Sequence, residues 1–165
     1  MRGAIIVVAA LFGCMGALRT AHPESPAERD NAEIRSYLPT DARLHAYFAA
    51  TRALRSAVAR DPALSSDCGA MSQAQEDGRL ATLYRSLAAH PRCYAFFRKN
   101  GLTERETGIW MTLVFWMSQY AEQPEQVAQL AVLSAPQAKF AQEHRAQFEK
   151  FMRQFSAGAD PSRFE

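Results

Sequence analysis

No apolar run in the chain approaches the roughly 20 residues that a bilayer-spanning helix requires. The longest, Ala4 to Phe12 ("AIIVVAALF"), stops at nine. Charge of one sign is lacking too. The formal net charge is +2, and setting aside residues 1–21, which hold Arg2 and Arg19 and no acid, leaves 17 basic and 17 acidic residues. A neutral surface exerts no general pull on phosphate backbones or anionic lipid, so nucleic acid is not an expected partner. The 8 glycines are scattered singly, which leaves no glycine-rich loop to cradle a phosphate. There is no G-x-S-x-G elbow, no H-E-x-x-H pair and no C-x-x-C-H. The four histidines (His22, His45, His90, His144) stand far apart, none with a second ligand at helical spacing. No carboxylate pair lies inside an apolar stripe, where general acid–base chemistry would need it. No catalytic residue, metal site or cofactor is therefore expected, and an enzyme is the least favoured reading.

What is present begins with a processing signal. Met1 and Arg2 give a positive start, and the nine apolar residues that follow have the length of a secretory signal core. Two routes stay open. Cleavage after Ala21 would remove residues 1–21 as a signal peptide, although Arg19 then sits where a small residue is wanted. The stretch "LFGC" (Leu11 to Cys14) instead resembles a bacterial lipobox, with Phe12 departing from the small or β-branched residue usual there. In that case residues 1–13 are lost and Cys14 carries lipid, the one route by which the chain would be held at a membrane. The expected location is the periplasm, free or lipid-anchored.

Export changes how the other two cysteines read. Cys68 and Cys93 form a pair in an oxidising compartment, where a structural disulfide is the default; free thiols and a catalytic use are the alternatives. Closing that loop would contribute about 3 kcal/mol in the chain-entropy model.

Residues 22–39 hold three prolines and six charges and read as a tether or lead-in, with at most a short helical piece. A helical domain is expected over 40–157, followed by a mobile tail, 158–165. Thr40 caps a first helix, Asp41 to Arg60, whose stripe is Leu44, Tyr47, Phe48, Thr51, Leu54 and Val58. Asp61-Pro62 ends it, and "ALSSDCGAMSQ" reads as a polar loop. A second helix spans Gln73 to Ala89, and Pro91 opens a short third one that stops at Asn100-Gly101. Thr103 and Glu106 have the spacing of a capping box, and the helix they start reaches Ala121 with a wide apolar arc, which predicts a central, buried element. Another turn is possible after Pro124. Ser134 and Gln137 open a last helix lined by Phe140, His144, Phe148, Phe151 and Phe155. The expected fold is all-α: a compact bundle of four longer helices plus one or two short ones.

Four residues are candidates for ligand binding, each beside a structural alternative. His144 interrupts a phenylalanine stripe, where an imidazole needs a hydrogen-bond partner and can serve as a ligand or pH-sensing group, or as a satisfied core histidine. Trp110 and Trp116 can line an aromatic pocket, or build core. Arg105 stands near a helix N-terminus, against the dipole, and so calls for an acidic partner inside the chain or a ligand carboxylate. The excess of 16 arginines over 3 lysines suits acidic partners but reads better as a solvated face.

The stretches "GLTERE" and "KFAQEHRAQFEKFM", with "YFAATRAL" on the first helix, resemble a loose group of small secreted bacterial proteins of unassigned function. Gly101, Leu102, Thr103, Arg105 and Glu106 match that group's helix start, and Phe140 and His144 its last helix. Glu104 and Thr107 depart from the Pro and Tyr of the pattern, and Trp116 from a Gln. The resemblance implies an exported helical domain and supplies no activity. The function expected is that of a non-enzymatic envelope protein that binds a protein partner or cell-wall component, for example as a periplasmic immunity or inhibitor protein. The alternative is a carrier or sensor of a small hydrophobic ligand, with its pocket at the tryptophans.

Overall fold

The computed structural model of the protein describes residues 24–73 and 79–156. The leader with Cys14 and the segment 158–165 lie outside the described residues, as do residues 74–78 of the expected second helix and the Phe155 side chain. Among the described residues there are nine helices and no strand, so the fold is all-α, with more and shorter helices than the sequence suggests.

α6 (Glu104–Glu122) is the central element. It touches α1 (Pro26–Ser36), α4 (Leu80–Ala89), α5 (Pro91–Lys99), α7 (Pro124–Gln129), α8 (Ala135–Glu143) and α9 (Arg145–Ser156). Its start is built as its sequence dictates. Gly101 takes φ +79, a left-handed conformation that ends α5, and Thr103 and Glu106 form the reciprocal capping box. Ile109, Trp110, Leu113 and Met117 are fully buried on it. Around them pack Leu44 and Phe48 of α2 (Asp41–Val58), Phe97 of α5 and Phe148 of α9. A smaller core, Leu64, Cys68, Met71, Leu87 and Cys93, joins α3 (Pro62–Gln73) to α4 and α5.

Three segments differ from expectation. Residues 22–39 contain α1, an 11-residue helix capped by Ser25 and Glu28. The polar pieces of this segment dock it: Asp30 Oδ2 meets Arg79 Nε at 2.6 Å, Glu33 meets Arg105, and Ile34 is buried in the main core. The "polar loop" is α3, since Asp61 Oδ1 accepts the Leu64 N–H as an N-cap and Leu64, Cys68 and Met71 recur at helical spacing. Gln73 belongs to the end of that helix, and α4 starts at Leu80, so the expected second helix is shorter than its pattern suggests. The last helix is interrupted at His144 (φ −106, ψ 14), whose ring Nδ1 bonds back to the Phe140 carbonyl.

Candidate functional site

Cys68 and Cys93 are joined in a disulfide, with Cα atoms 5.7 Å apart. Both are buried, and the bond ties α3 to α5. Around it Asp67 Oδ1 lies 2.7 Å from His90 Nδ1, and Ser86 Oγ donates to the Met71 carbonyl. These contacts make the cysteine region a structural corner, and the bond takes the place of the free-thiol and catalytic alternatives.

Arg105 finds its acidic partner inside the chain. Its Nε donates to Glu33 Oε1 at 2.6 Å, and the same oxygen accepts the Tyr84 hydroxyl at 3.1 Å. Burial, and then the charge and hydrogen bond of Glu33, push the Tyr84 phenol well above its ordinary range. The cluster fastens α1 to α4 and α6. Next to it, Arg43 Nε pairs with Glu106 at 2.9 Å and its Nη1 donates to the Gly101 carbonyl, so the capping box of α6 is held by α2 as well.

Trp110 is core. It is 0% exposed, its Nε1 donates to the Tyr37 hydroxyl at 3.0 Å, and its ring meets Tyr37 edge-on and stacks on Tyr47. An indole with its N–H satisfied and a tyrosine ring on two sides is built into the interior. Trp116 differs. It is half-buried on the outward side of α6 and stands edge-on to Phe115 at 5.0 Å, and Phe115 is 52% exposed. Tyr120, four residues on and so on the same side of the helix, lines a cleft of about 320 Å³ with Val127, Leu133 and alanines of α7 and α8.

His144 is fixed from both ring nitrogens. Nδ1 faces the Phe140 carbonyl at 3.0 Å and Nε2 faces Asp41 Oδ1 at 2.9 Å, with the ring stacked on Phe140. Both partners are hydrogen-bond acceptors, so the ring donates to them. The pair joins the start of α2 to the α8–α9 break. Arg105 and His144 thus each take a different carboxylate, and the four sequence candidates do not converge on one site.

A second cleft, missed from the sequence, lies between α2 and α9. It has a volume of about 340 Å³ and is lined by His45, Phe48, Arg52, Gln147, Lys150, Phe151 and Gln154. The Phe48 and Phe151 rings stack at 4.1 Å, only 10° from parallel, and form its floor. On α2 the residues Asp41, His45, Phe48 and Arg52 follow one helical stripe, and on α9 Gln147, Phe151 and Gln154 follow another. The signal existed, because both stripes carry apolar residues with polar ones one turn away. Only the packing of α2 on α9 brings the polar rims together. Compared with family models, with curated proteins and with solved structures, the chain matches none.

Proposed function

We propose that the chain is an exported, non-enzymatic binding protein of the bacterial envelope, which docks a partner protein through the outward side of α6. The observation that carries this reading is the pair of exposed Phe115 and half-buried Trp116. It continues through Tyr120 to the apolar α6–α7–α8 cleft, and Leu130, 59% exposed, stands at the end of α7. Tyr, Trp and Phe clustered at an exposed apolar surface are the residues that anchor protein interfaces, and a cleft beside them offers a socket for a partner's side chain. The disulfide is in keeping with an oxidising compartment, and the signal-like leader with the open question of lipid at Cys14 is in keeping with the same location. A periplasmic immunity or inhibitor protein is one form this reading takes. The resemblance of the Gly101–Glu106 helix start to exported helical proteins points the same way.

A carrier with its pocket at the tryptophans is a weaker reading, because Trp110 is enclosed by Tyr37 and Tyr47. The test is a photo-crosslinking amino acid at Phe115, in the exported chain, in living cells. A single stoichiometric adduct is expected, lost in Trp116→Ser while helical circular dichroism is kept. No adduct, or one indifferent to Trp116→Ser, would remove this surface from the proposal.

A further inference from the structure

We infer that the α2–α9 cleft is a binding site for a small amphipathic anion, a carboxylate or phosphate head group on an apolar body. The inference does not rest on the α6 surface, and the two share no residue.

The floor is aromatic and the rim is cationic. Phe48 and Phe151 are buried in the core, stacked on each other, and line the bottom of the cleft. Arg52 and Lys150 stand exposed on opposite helices above them, with His45 one turn before Phe48. No acidic residue lines the cleft.

These cations have no partner of their own. Six of the described arginines (Arg43, Arg79, Arg92, Arg105, Arg145 and Arg153) pair with carboxylates. Arg52, Lys150 and His45 have no ion-pair or hydrogen-bond partner among the described residues. The acids nearest in sequence are already engaged: Asp41 by His144, and Glu149 by Arg145 and Arg153. The frame of the cleft is fixed at both ends. Asp41 and His144 close one end, and Arg55 Nη1, donating to the Gln154 carbonyl, ties α9 to α2 at the other.

Such a surface suits one chemical class. Arg52 offers a planar fork that matches carboxylate and phosphate oxygens, and Lys150 a point charge. Gln147 and Gln154 add amide donors, and the aromatic floor takes the apolar body. The volume lies at the small end of the range for ligand clefts, which argues for a compact ligand over a polymer.

The test follows amide chemical shifts of the full mature chain as decanoate, decyl phosphate, decanol and inorganic phosphate are added separately. Decanoate or decyl phosphate is expected to move amides around Arg52 and Lys150, and which of the two binds tighter names the head group. Decanol and inorganic phosphate should bind on the order of tenfold more weakly, and the Arg52→Glu, Lys150→Glu double variant should weaken the anion by a similar factor. Both positions are exposed, so the variant keeps its fold, which circular dichroism checks. Decanol equal to decanoate, phosphate equal to decyl phosphate, or a double variant that binds unchanged would each overturn the inference. A dimer in sedimentation that this variant dissociates would overturn it as well, by making a second copy the occupant.

Discussion

Gln137 and Ile34, 103 residues apart in sequence, meet through a 2.6 Å hydrogen bond from the Gln137 amide nitrogen to the Ile34 carbonyl. The same nitrogen donates to the Tyr37 carbonyl at 2.9 Å, while the amide oxygen accepts the Ser134 N–H at 2.9 Å. One fully buried side chain therefore satisfies carbonyls at the end of α1 and an N–H at the start of α8. Gln137→Leu fills the volume but takes this partner from the Tyr37 carbonyl and the Ser134 N–H, and leaves the Ile34 carbonyl with the Tyr37 N–H alone. The expected loss is about 3 kcal/mol, measured by urea unfolding, because buried polar groups left without partners cost about 1–3 kcal/mol each. Gln137→Glu is expected to be as harmful, since it turns the donor into an acceptor facing two carbonyls. A Leu variant as stable as the parent would show that α1 is held without this bond.

The disulfide sets the second expectation. Cys68 and Cys93 enclose a loop with a sequence separation of 25. The Cys68→Ala, Cys93→Ala double variant should lose about 3 kcal/mol through the larger freedom of its unfolded chain. Hydrogen exchange should show the earliest loss of protection in α3, which otherwise rests on a small core of Leu64, Met71 and Leu87. An unchanged urea midpoint would remove the staple from the account of stability.

How far the sequence announces this architecture depends on the range of each interaction. The Thr103–Glu106 box, the Gly101 stop, the Pro91 start and the Cys68–Cys93 pair all rest on local geometry or compartment chemistry, and all stand in the structure. Two local signals were present and read otherwise. Ser25 and Glu28 have the same spacing as Thr103 and Glu106, yet three prolines and six charges made residues 22–39 look like a tether. In α3 the cysteine and methionine act as core residues inside a segment rich in serine. The remainder was not local at all. Arg105 needs Glu33, His144 needs Asp41, and the α2–α9 cleft needs two helices that begin about a hundred residues apart. Periodicity finds the face of each helix and says nothing about which face it meets.

Gly108 shows how closely α4 and α6 approach. A Cβ added there would lie 2.7 Å from Tyr84 Cε1. The ring cannot swing aside freely, because its hydroxyl is bound to Glu33. Alanine gains about 1 kcal/mol of helix propensity over glycine, but overpacking costs about 1–3 kcal/mol. Gly108→Ala should therefore destabilise by about 1 kcal/mol. In a Tyr84→Ala background the clash is gone and the same change should stabilise. A double-mutant cycle with no coupling between the two positions would refute the contact as the cause.

Alkaline pH gives a further test, on groups spread through the main core. Burial raises the phenols of Tyr37, Tyr47, Tyr84 and Tyr94 above their ordinary value of 10.0, and Glu33 adds to the rise at Tyr84. A phenol whose folded pKa exceeds its unfolded one stabilises the fold fully below the unfolded value. The stabilisation drains away as pH rises through 10 and beyond, where the unfolded chain loses protons that the native state still holds. Stability should therefore be flat with respect to these groups up to about pH 9 and fall above 10. The rise in tyrosinate absorbance from these four phenols should coincide with loss of helical circular dichroism. Tyr84→Phe removes one of the raised groups and should make the fall above pH 10 shallower, even though it gives up the hydrogen bond to Glu33 at neutral pH. If every tyrosine ionised near pH 10 with the helices intact, burial would not be holding these phenols neutral, and the packing of Tyr47 between Trp110 and Phe97 would have to be looser than its ring geometry implies.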